Sequence, residues 1–304
     1  MKIGGLSRRP HHSIIPKLAS SIFLLRYLPG PIMSELSPED FLSESLHTLY
    51  DYQPITVTMS GGPFIYTLKS PMDSNSEPLT ISLHTPDTDA ANWALHASSI
   101  WISSIYLADH LEDLHITHMQ SQVLGNPVRV LELGASAGLP SILISKLYPT
   151  LSVTATDYPD EELIKTLAEN VQQNGVAQWC RALPYAWGSD PSTILEHGQK
   201  FDLVFATDTL WNPDLHVIFI SALQSTLRKS PLSRVHLVVG LHTGRYTIQS
   251  FLKQALKSGF DLENVVEKEI AGTTVRGWDV ARENEDEREK RRWVIWIQLK
   301  WTKS

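Results

Sequence analysis

One cysteine, Cys180, occurs in 304 residues, so the chain can build neither an intramolecular disulfide framework nor a cysteine-based zinc cage. The expectation for Cys180 is a small buried hydrophobe. No apolar run approaches the roughly 20 residues that span a bilayer, which argues against a membrane protein. There is no excess of cations: 26 Lys and Arg face 33 Asp and Glu for a net charge of −7. A broad cationic face for nucleic acid is therefore not expected. His110, His115 and His118 offer no i, i+4 pair on a helix, so no metal site is expected either. What remains is a globular balance, 42% hydrophobic and 19% charged, with length enough for one large α/β core.

The charge is unevenly spread. Residues 1 to 33 hold Lys2, Arg8, Arg9, Lys17 and Arg26 and no acid, which leaves 21 cations against 33 acids in residues 34 to 304. The first 33 residues read as a basic extension, either without structure or acting as a mitochondrial transit peptide, and Met33 resembles a second start. Residues 34 to 304 form the expected catalytic domain, with 34 to 110 as an N-terminal embellishment and 111 to 304 as its core.

Within the embellishment, a short helix is expected over about 38 to 50. The alternating β-formers around Gly61-Gly62-Pro63, from Ile55 to Leu68, predict a hairpin, and Leu79 to Leu83 a further strand. From Trp93 to about His110, apolar residues three and four apart predict a helix. Beyond it, strands over 128 to 133, 151 to 156, 180 to 185, 201 to 207 and 234 to 240 alternate with helices over 138 to 147, 160 to 174, 214 to 228 and 246 to 258. That order predicts a mostly parallel sheet with helices on both faces. Leu262 to Ile270 and Trp293 to Trp301 read as an antiparallel pair, and the five acids and four bases of Glu283 to Arg292 as a solvated connection.

The stretch Arg129 to Ile142 runs a strand through Gly134-Ala-Ser136-Ala-Gly138 into a helix. Glycines let a ligand approach the backbone, and the helix start offers free N–H groups. Three readings compete. A dinucleotide fingerprint fails because Ser136 and Leu139 occupy its later glycine positions. A serine hydrolase fits the letters Gly-x-Ser-x-Gly, with Asp208 and His242 following in the required order. An S-adenosylmethionine (SAM) methyltransferase explains more residues, since three strands end in Glu132, Asp157 and Asp208 at one sheet edge, and a strand-end carboxylate can hold ribose hydroxyls. Asp157 alone could instead cap the helix that follows it.

The run from Val130 to Ser141, the Thr156-Asp-Tyr-Pro-Asp160 segment, Ala186-Trp-Gly188, and Asp208-Thr-Leu-Trp-Asn212 with His216 resemble the seven-strand methyltransferases of lysine methyltransferase family 16. The similarity is greatest to its fungal nicotinamide N-methyltransferase-like branch, near the elongation factor 1-alpha N-terminal and lysine methyltransferases. It implies an α/β fold with a Rossmann-like, seven-stranded, mostly parallel sheet whose last strand is antiparallel. It implies SAM as cofactor, held by Trp101, Glu132, Gly134, Ala135, Gly138, Asp157, Trp187 and Thr207. Asp208 and Trp211 would take the catalytic positions, with Trp211 in place of the usual Tyr or Phe, and Asn212, His242 and Tyr246 the substrate side, with Arg245 beside them. The implied reaction is N-methylation of a protein lysine or N-terminal amine, a translation factor among the acceptors, by a monomer in the cytoplasm, or in mitochondria if residues 1 to 33 target it there. A small heterocyclic amine as acceptor, and a SAM-binding protein without turnover, stay open as alternatives.

Overall fold

The computed structural model describes residues 54–68, 78–87, 95–123 and 127–303. The basic extension, the division near residue 33 and the helix expected over 38 to 50 lie outside the described residues. The chain forms an eight-stranded sheet and a separate two-stranded hairpin.

The hairpin pairs β1 (Pro63–Leu68) with β2 (Leu79–His84) in antiparallel register. Its inward residues alternate as the pleat requires, Phe64 and Tyr66 on one strand and Ile81 and Leu83 on the other. This corrects the expectation that residues 55 to 62 form the first arm. They run instead beside residues 100 to 102, where Val57 N–H donates to Ile100 O and Ile102 N–H to Ile55 O, both at 3.0 Å. The helix expected from Trp93 is also shorter: α1 spans Ile102–Asp109, and Trp101 is its extended N-cap residue. His96, at a φ of 52°, turns the chain before that helix begins. A second helix, α2 (Ile116–Gln122), carries His118 and had no clear periodic signal.

The large sheet is built from β3 (Arg129–Leu133), β4 (Ser152–Asp157), β5 (Cys180–Pro184), β6 (Leu203–Thr207), β7 (Arg234–Gly240), β8 (Phe260–Glu269), β9 (Val275–Gly277) and β10 (Trp293–Trp301). Their order is β5-β4-β3-β6-β7-β10-β8-β9. The first five are parallel, and β10 runs antiparallel to both β7 and β8. All five residues of β3 are buried, as expected for a parallel strand covered on both faces, although Arg129 and Glu132 interrupt its apolar run. The eighth strand corrects the expected seven. β9 is a three-residue edge strand against β8, too short to leave a pattern.

Helices α3 (Leu139–Leu147), α4 (Glu161–Gln173), α5 (His216–Thr226) and α6 (Arg245–Lys257) connect the strands. On α6, Ile248, Phe251, Leu252 and Ala255 recur at helical spacing and enter a core with Phe219 and Leu223 of α5 and with Leu237, Val239 and Ile297 of the sheet. Each large apolar side chain sealed there contributes about 1.5–3 kcal/mol. Cys180 is buried as expected, and burial pushes its thiol up to about 12.

Helix α4 also fastens the hairpin. Asn170 donates to and accepts from the His84 backbone at 2.8 and 2.9 Å, and Asn174 does the same for Ser82 at 2.7 and 3.1 Å. With Gln173, which also donates to Ser82 O at 2.7 Å, three amide side chains satisfy the edge that β2 would otherwise leave open. Asn170 further donates to Ala137 O at 3.0 Å, joining the hairpin to the glycine turn.

The segment from Glu283 to Arg292 is only partly the solvated connection the sequence predicts. Lys290 and Arg292 pair with Glu287 and Glu289 on the surface. Glu283 instead accepts the Arg245 N–H at 2.5 Å, and Glu285 accepts from Arg245 and Arg276 at 2.6 and 2.9 Å. These contacts surround Glu267, which is fully buried and takes Arg245 in a bidentate pair at 2.5 and 2.9 Å, with Arg276 and Arg282 added at 2.8 and 2.6 Å. Arg245 is equally buried, so it does not line the acceptor side as expected; its charge is spent on this network.

Candidate active site

Successive strands β3, β4 and β5 step outward in one direction, after which the chain returns to place β6 on the other side of β3. The crevice beyond the C-terminal ends of β3 and β6 is the ligand position of open α/β sheets. The glycine turn leaves β3 there, Asp157 ends β4, and Asp208 and His242 follow β6 and β7 at the same edge.

The turn is held by its neighbours. Gly134 and Ala135 both donate to Thr156 O at 2.9 Å. Gly134 and Gly138 have φ of 77° and 83°. A Cβ on Gly138 would lie 2.6 Å from Leu167, and one on Gly134 would meet Thr209 at 3.0 Å and the Trp187 ring at 3.6 Å. These are positions that glycine alone fills without strain. The turn lines a narrow open cleft from Gly134 to Leu139, faced by Ser99, Ile100, Trp101, Ser104 and Thr207.

Glu132, Asp157 and Trp187 stand behind this lining. Asp157 accepts the N–H groups of Ser136 at 2.6 Å and Tyr158 at 2.7 Å. The cap of α4 is Asp160, which accepts from Leu163 N–H at 2.9 Å, so Asp157 does not serve as that cap. Trp187 packs on Phe219 with ring centres 4.6 Å apart. Glu132 is sealed beneath the turn, where one oxygen accepts from Ser141 at 2.5 Å and the other has no protein partner among the described residues.

Burial raises both carboxyls, Glu132 up to about 8 and Asp157 up to about 6, against the pull of the hydrogen bonds each accepts. A raised carboxyl keeps its proton in the folded state where the unfolded chain has lost it, so stability falls as pH rises toward the folded value. Between pH 6.5 and 8 Glu132 is expected to cost up to about 2 kcal/mol of stability. The melting temperature of the ligand-free protein should fall across that interval, and Glu132→Gln should flatten the slope. An unchanged slope in the variant would overturn this account.

Asp208 follows β6 at a φ of 50°. Its carboxylate accepts from the Ser103 hydroxyl and, at 2.7 Å, from Gly240 N–H. His242 Nε2 is 3.6 Å away. The His242 ring lies 5.1 Å from that of Trp101, and His96 touches both tryptophans, with ring centres 6.1 Å from Trp101 and 4.9 Å from Trp211. Asn212 is occupied as a cap, accepting from Asp214 N–H at 3.0 Å. Tyr246 lies on the first turn of α6 with 67% of its surface exposed. Of five non-glycine residues with positive φ among those described, His96, Ser136 and Asp208 lie around this crevice, the clustering expected where backbone strain serves a site.

His96 and Ser103 escaped the sequence reading. Neither lies in a motif: Ser103 meets Asp208 across 105 residues of chain, and His96 meets Trp211 only in the fold, although it also touches the nearby Trp101.

The nucleophile reading of Ser136 fails on geometry. Its hydroxyl donates to Ala97 O at 2.5 Å, while His242 sits beside Asp208 and Trp101. No histidine is placed to take the Ser136 proton among the described residues.

The sequence pattern of a protein family described as lysine methyltransferase matches residues 87–258. The chain belongs to this lysine methyltransferase family. Its chemistry is SAM-dependent N-methylation, which displaces the hydrolase alternative. The chain is 30% identical over 183 residues to a protein N-terminal and lysine N-methyltransferase of Schizosaccharomyces pombe, covering 58% of this chain and 69% of that one. It is 25% identical over 254 residues to a Neurospora crassa protein of the same name, covering 73% and 83%. Among solved structures, the glycopeptide N-methyltransferase MtfA with sinefungin overlaps 62% of this chain and 93% of its own at 11% identity and a TM-score of 0.43. No described helix is long and apolar enough to cross a membrane.

Proposed function

We propose that this methyltransferase acts on a protein amine, a lysine side chain or an N-terminal α-amine. The two relatives above carry both activities in their names. The observation that carries the cofactor side is Asp157, a strand-end carboxylate that anchors the glycine turn through Ser136 N–H.

SAM supplies a methyl group on a sulfonium, which needs no further activation. The crevice suits it: bare glycine backbone lines the cleft, and each Asp157 oxygen, with one amide N–H already bound, keeps a lone pair for a ribose hydroxyl. Gly134, Ala135 and Gly138 would admit the methionine portion, Trp187 would wall the adenine side, and Thr207 and Trp101 would close the cleft. Glu132 would act through Ser141, keeping α3 and the turn in register.

An acceptor nitrogen must present a lone pair in line with the sulfonium methyl, so orientation and exclusion of water dominate the chemistry. Asp208 is a fixed negative charge rather than a free base, because its oxygens are engaged by Ser103 and Gly240. It would orient the amine electrostatically. Trp211, Asn212, His242 and Tyr246 would frame the acceptor.

Calorimetric titration with S-adenosylhomocysteine, beside tritiated-methyl transfer into a size-fractionated lysate, tests the reading. Label is expected in protein, with translation factors the first candidates to examine. Asp157→Ala should weaken cofactor affinity at least about 100-fold, since a buried hydrogen-bonding group is lost on both the turn and ligand sides. Label confined to small molecules would redirect the acceptor to a heterocyclic amine, and no affinity for S-adenosylhomocysteine would overturn the whole reading.

A further inference from the structure

An asparagine stands where helix α4 would be expected to bury an aliphatic side chain. The buried residues of this helix are Leu163, Leu167, Asn170 and Val171, which fall on one face, and Asn170 is only 1% exposed. A buried amide costs free energy unless its donors and acceptors find partners. Those of Asn170 all do. One N–H donates to His84 O at 2.8 Å and the other to Ala137 O at 3.0 Å, while Oδ1 accepts from His84 N–H and from Gln173, both at 2.9 Å. The orientation of the group is therefore fixed, because turning the amide over would set like groups against each other at His84. The two bonds to His84 are those a neighbouring strand would offer it. The bond to Ala137 leaves the hairpin and enters the glycine turn.

Helix α4 meets that turn at two successive points. Asn170 holds the Ala137 carbonyl, and one helical turn earlier Leu167 packs so close to Gly138 that a Cβ there would lie 2.6 Å from it. The peptide between Ala137 and Gly138 is planar, and both of its ends are engaged: Asn170 takes the C=O, and the Gly138 N–H donates to Ala135 O at 2.7 Å. Ala137 and Gly138 line the cleft and Asn170 does not, so the grip on this peptide comes from behind the lining. Asn174 offers a comparison within the same helix end. It bonds Ser82 through both the N–H and the C=O, as Asn170 bonds His84, but its other donation goes to Asn170 O at 2.8 Å. Its bonds reach the hairpin and its own helix, not the turn.

We infer that Asn170 is a positioning residue for the cofactor, holding the 137–138 peptide in the orientation that the cleft presents to SAM and coupling cofactor binding to docking of the β1–β2 hairpin. The inference rests on the cofactor side of the methyl-transfer reading. An amide bonded to both elements cannot follow a movement of the turn without straining its bonds to His84. A ligand that steadies the turn therefore steadies the hairpin, and by reciprocity a docked hairpin raises cofactor affinity. The hairpin thus belongs to the cofactor site although none of its residues lines the cleft.

The test compares the full parent chain with Asn170→Leu and Asn174→Leu, each of which replaces an amide by an aliphatic group of similar size. Both should loosen the hairpin, read as faster hydrogen exchange at the Ser82 and His84 N–H groups. Only Asn170→Leu should weaken affinity for S-adenosylhomocysteine, by at least about 5-fold, while Asn174→Leu stays within about twofold of the parent. At saturating SAM, the rate of methyl transfer into lysate protein by Asn170→Leu should return to within about twofold of the parent, which a general loss of fold would not allow. In the parent, saturating S-adenosylhomocysteine should slow exchange at Ser82 and His84 at least about 5-fold, a response that Asn174→Leu keeps at His84 and Asn170→Leu loses. Equal effects of the two substitutions on affinity, or exchange in the parent that ignores S-adenosylhomocysteine, would overturn the inference while leaving methyl transfer intact. The parent measurement needs no variant and decides alone should Asn170→Leu not fold. A parent protein that does not bind S-adenosylhomocysteine would remove the methyl-transfer reading and this inference together.

Discussion

Asp208→Asn is expected to lower kcat for methyl transfer at least about 100-fold while cofactor affinity stays within about threefold of the parent. Asparagine keeps the volume and tolerates the left-handed backbone at φ 50°. It can still accept the Gly240 N–H or the Ser103 hydroxyl. What it removes is the negative charge, in a buried place where charge acts strongly on a bound amine. Single-turnover rates at saturating cofactor would separate this loss from binding. A drop below about tenfold with the fold intact would mean that Asp208 serves only to tie β6 to Ser103 and Gly240.

Glu267→Ala is expected to destabilise the protein by about 3–5 kcal/mol, because it leaves the fully buried Arg245 guanidinium without its bidentate partner. Glu285 would remain as a single contact on one nitrogen. Burial alone would raise the Glu267 carboxyl, but the bonds from Arg245, Arg282 and Arg276 outweigh it and hold the group below its ordinary value. A depressed carboxyl contributes stability above its unfolded value and loses it as pH falls through the folded one, so this network stabilises the protein at neutral pH and fails in acid. Urea midpoints at unchanged slope would measure the effect. A loss under about 1 kcal/mol would show that the guanidinium groups re-pair with Glu283 and Glu285.

The network matters beyond stability. Arg245 directly follows the turn that carries His242, and its N–H is held by Glu283. A carboxylate from each of two distant segments thus fixes the start of α6. Nothing local announces this: Arg245 reads as an exposed residue at a helix start, and Glu283 and Glu285 read as members of a solvated charged run. The pairing depends on β8 and β10 crossing the sheet in antiparallel order, which brings residues 267 to 285 over the helix terminus.

Much of the site, by contrast, is legible along the chain. Parallel strands buried on both faces are mostly apolar, so a carboxylate at the end of such a run stands out, as Asp157 and Asp208 do. The glycine turn is equally visible, because positive φ at Gly134 and Gly138 restricts those positions to glycine. The hairpin differs for a related reason: residues 55 to 62 have the composition of a strand, but composition does not choose a partner, and β1 pairs with β2 while residues 55 and 57 bond to residues 100 to 102. Residues 96 to 101 have helical spacing of apolar side chains, yet the carbonyls of His96, Ala97 and Ile100 accept from the Trp101 indole, the Ser136 hydroxyl and the Val57 N–H, which stops the helix from starting earlier.

Local sequence thus determined the alternation of strands and helices, the turn after β3, and the acidic strand ends that face one crevice, since each follows from burial pattern or backbone geometry within a few residues. It also left a single cysteine without a partner for an intramolecular disulfide, and more acids than bases. Tertiary structure decided what each group is available to do. It sealed Glu132 under Ser141, set Asp157 against the Ser136 amide, engaged Asp208 with Ser103, spent Arg245 on Glu267, and gathered four rings from three parts of the chain. The hydrogen bonds among these contacts span from 9 residues, for Glu132 and Ser141, to 105, for Asp208 and Ser103, and the longer contacts are made only when the sheet order places distant strand ends side by side.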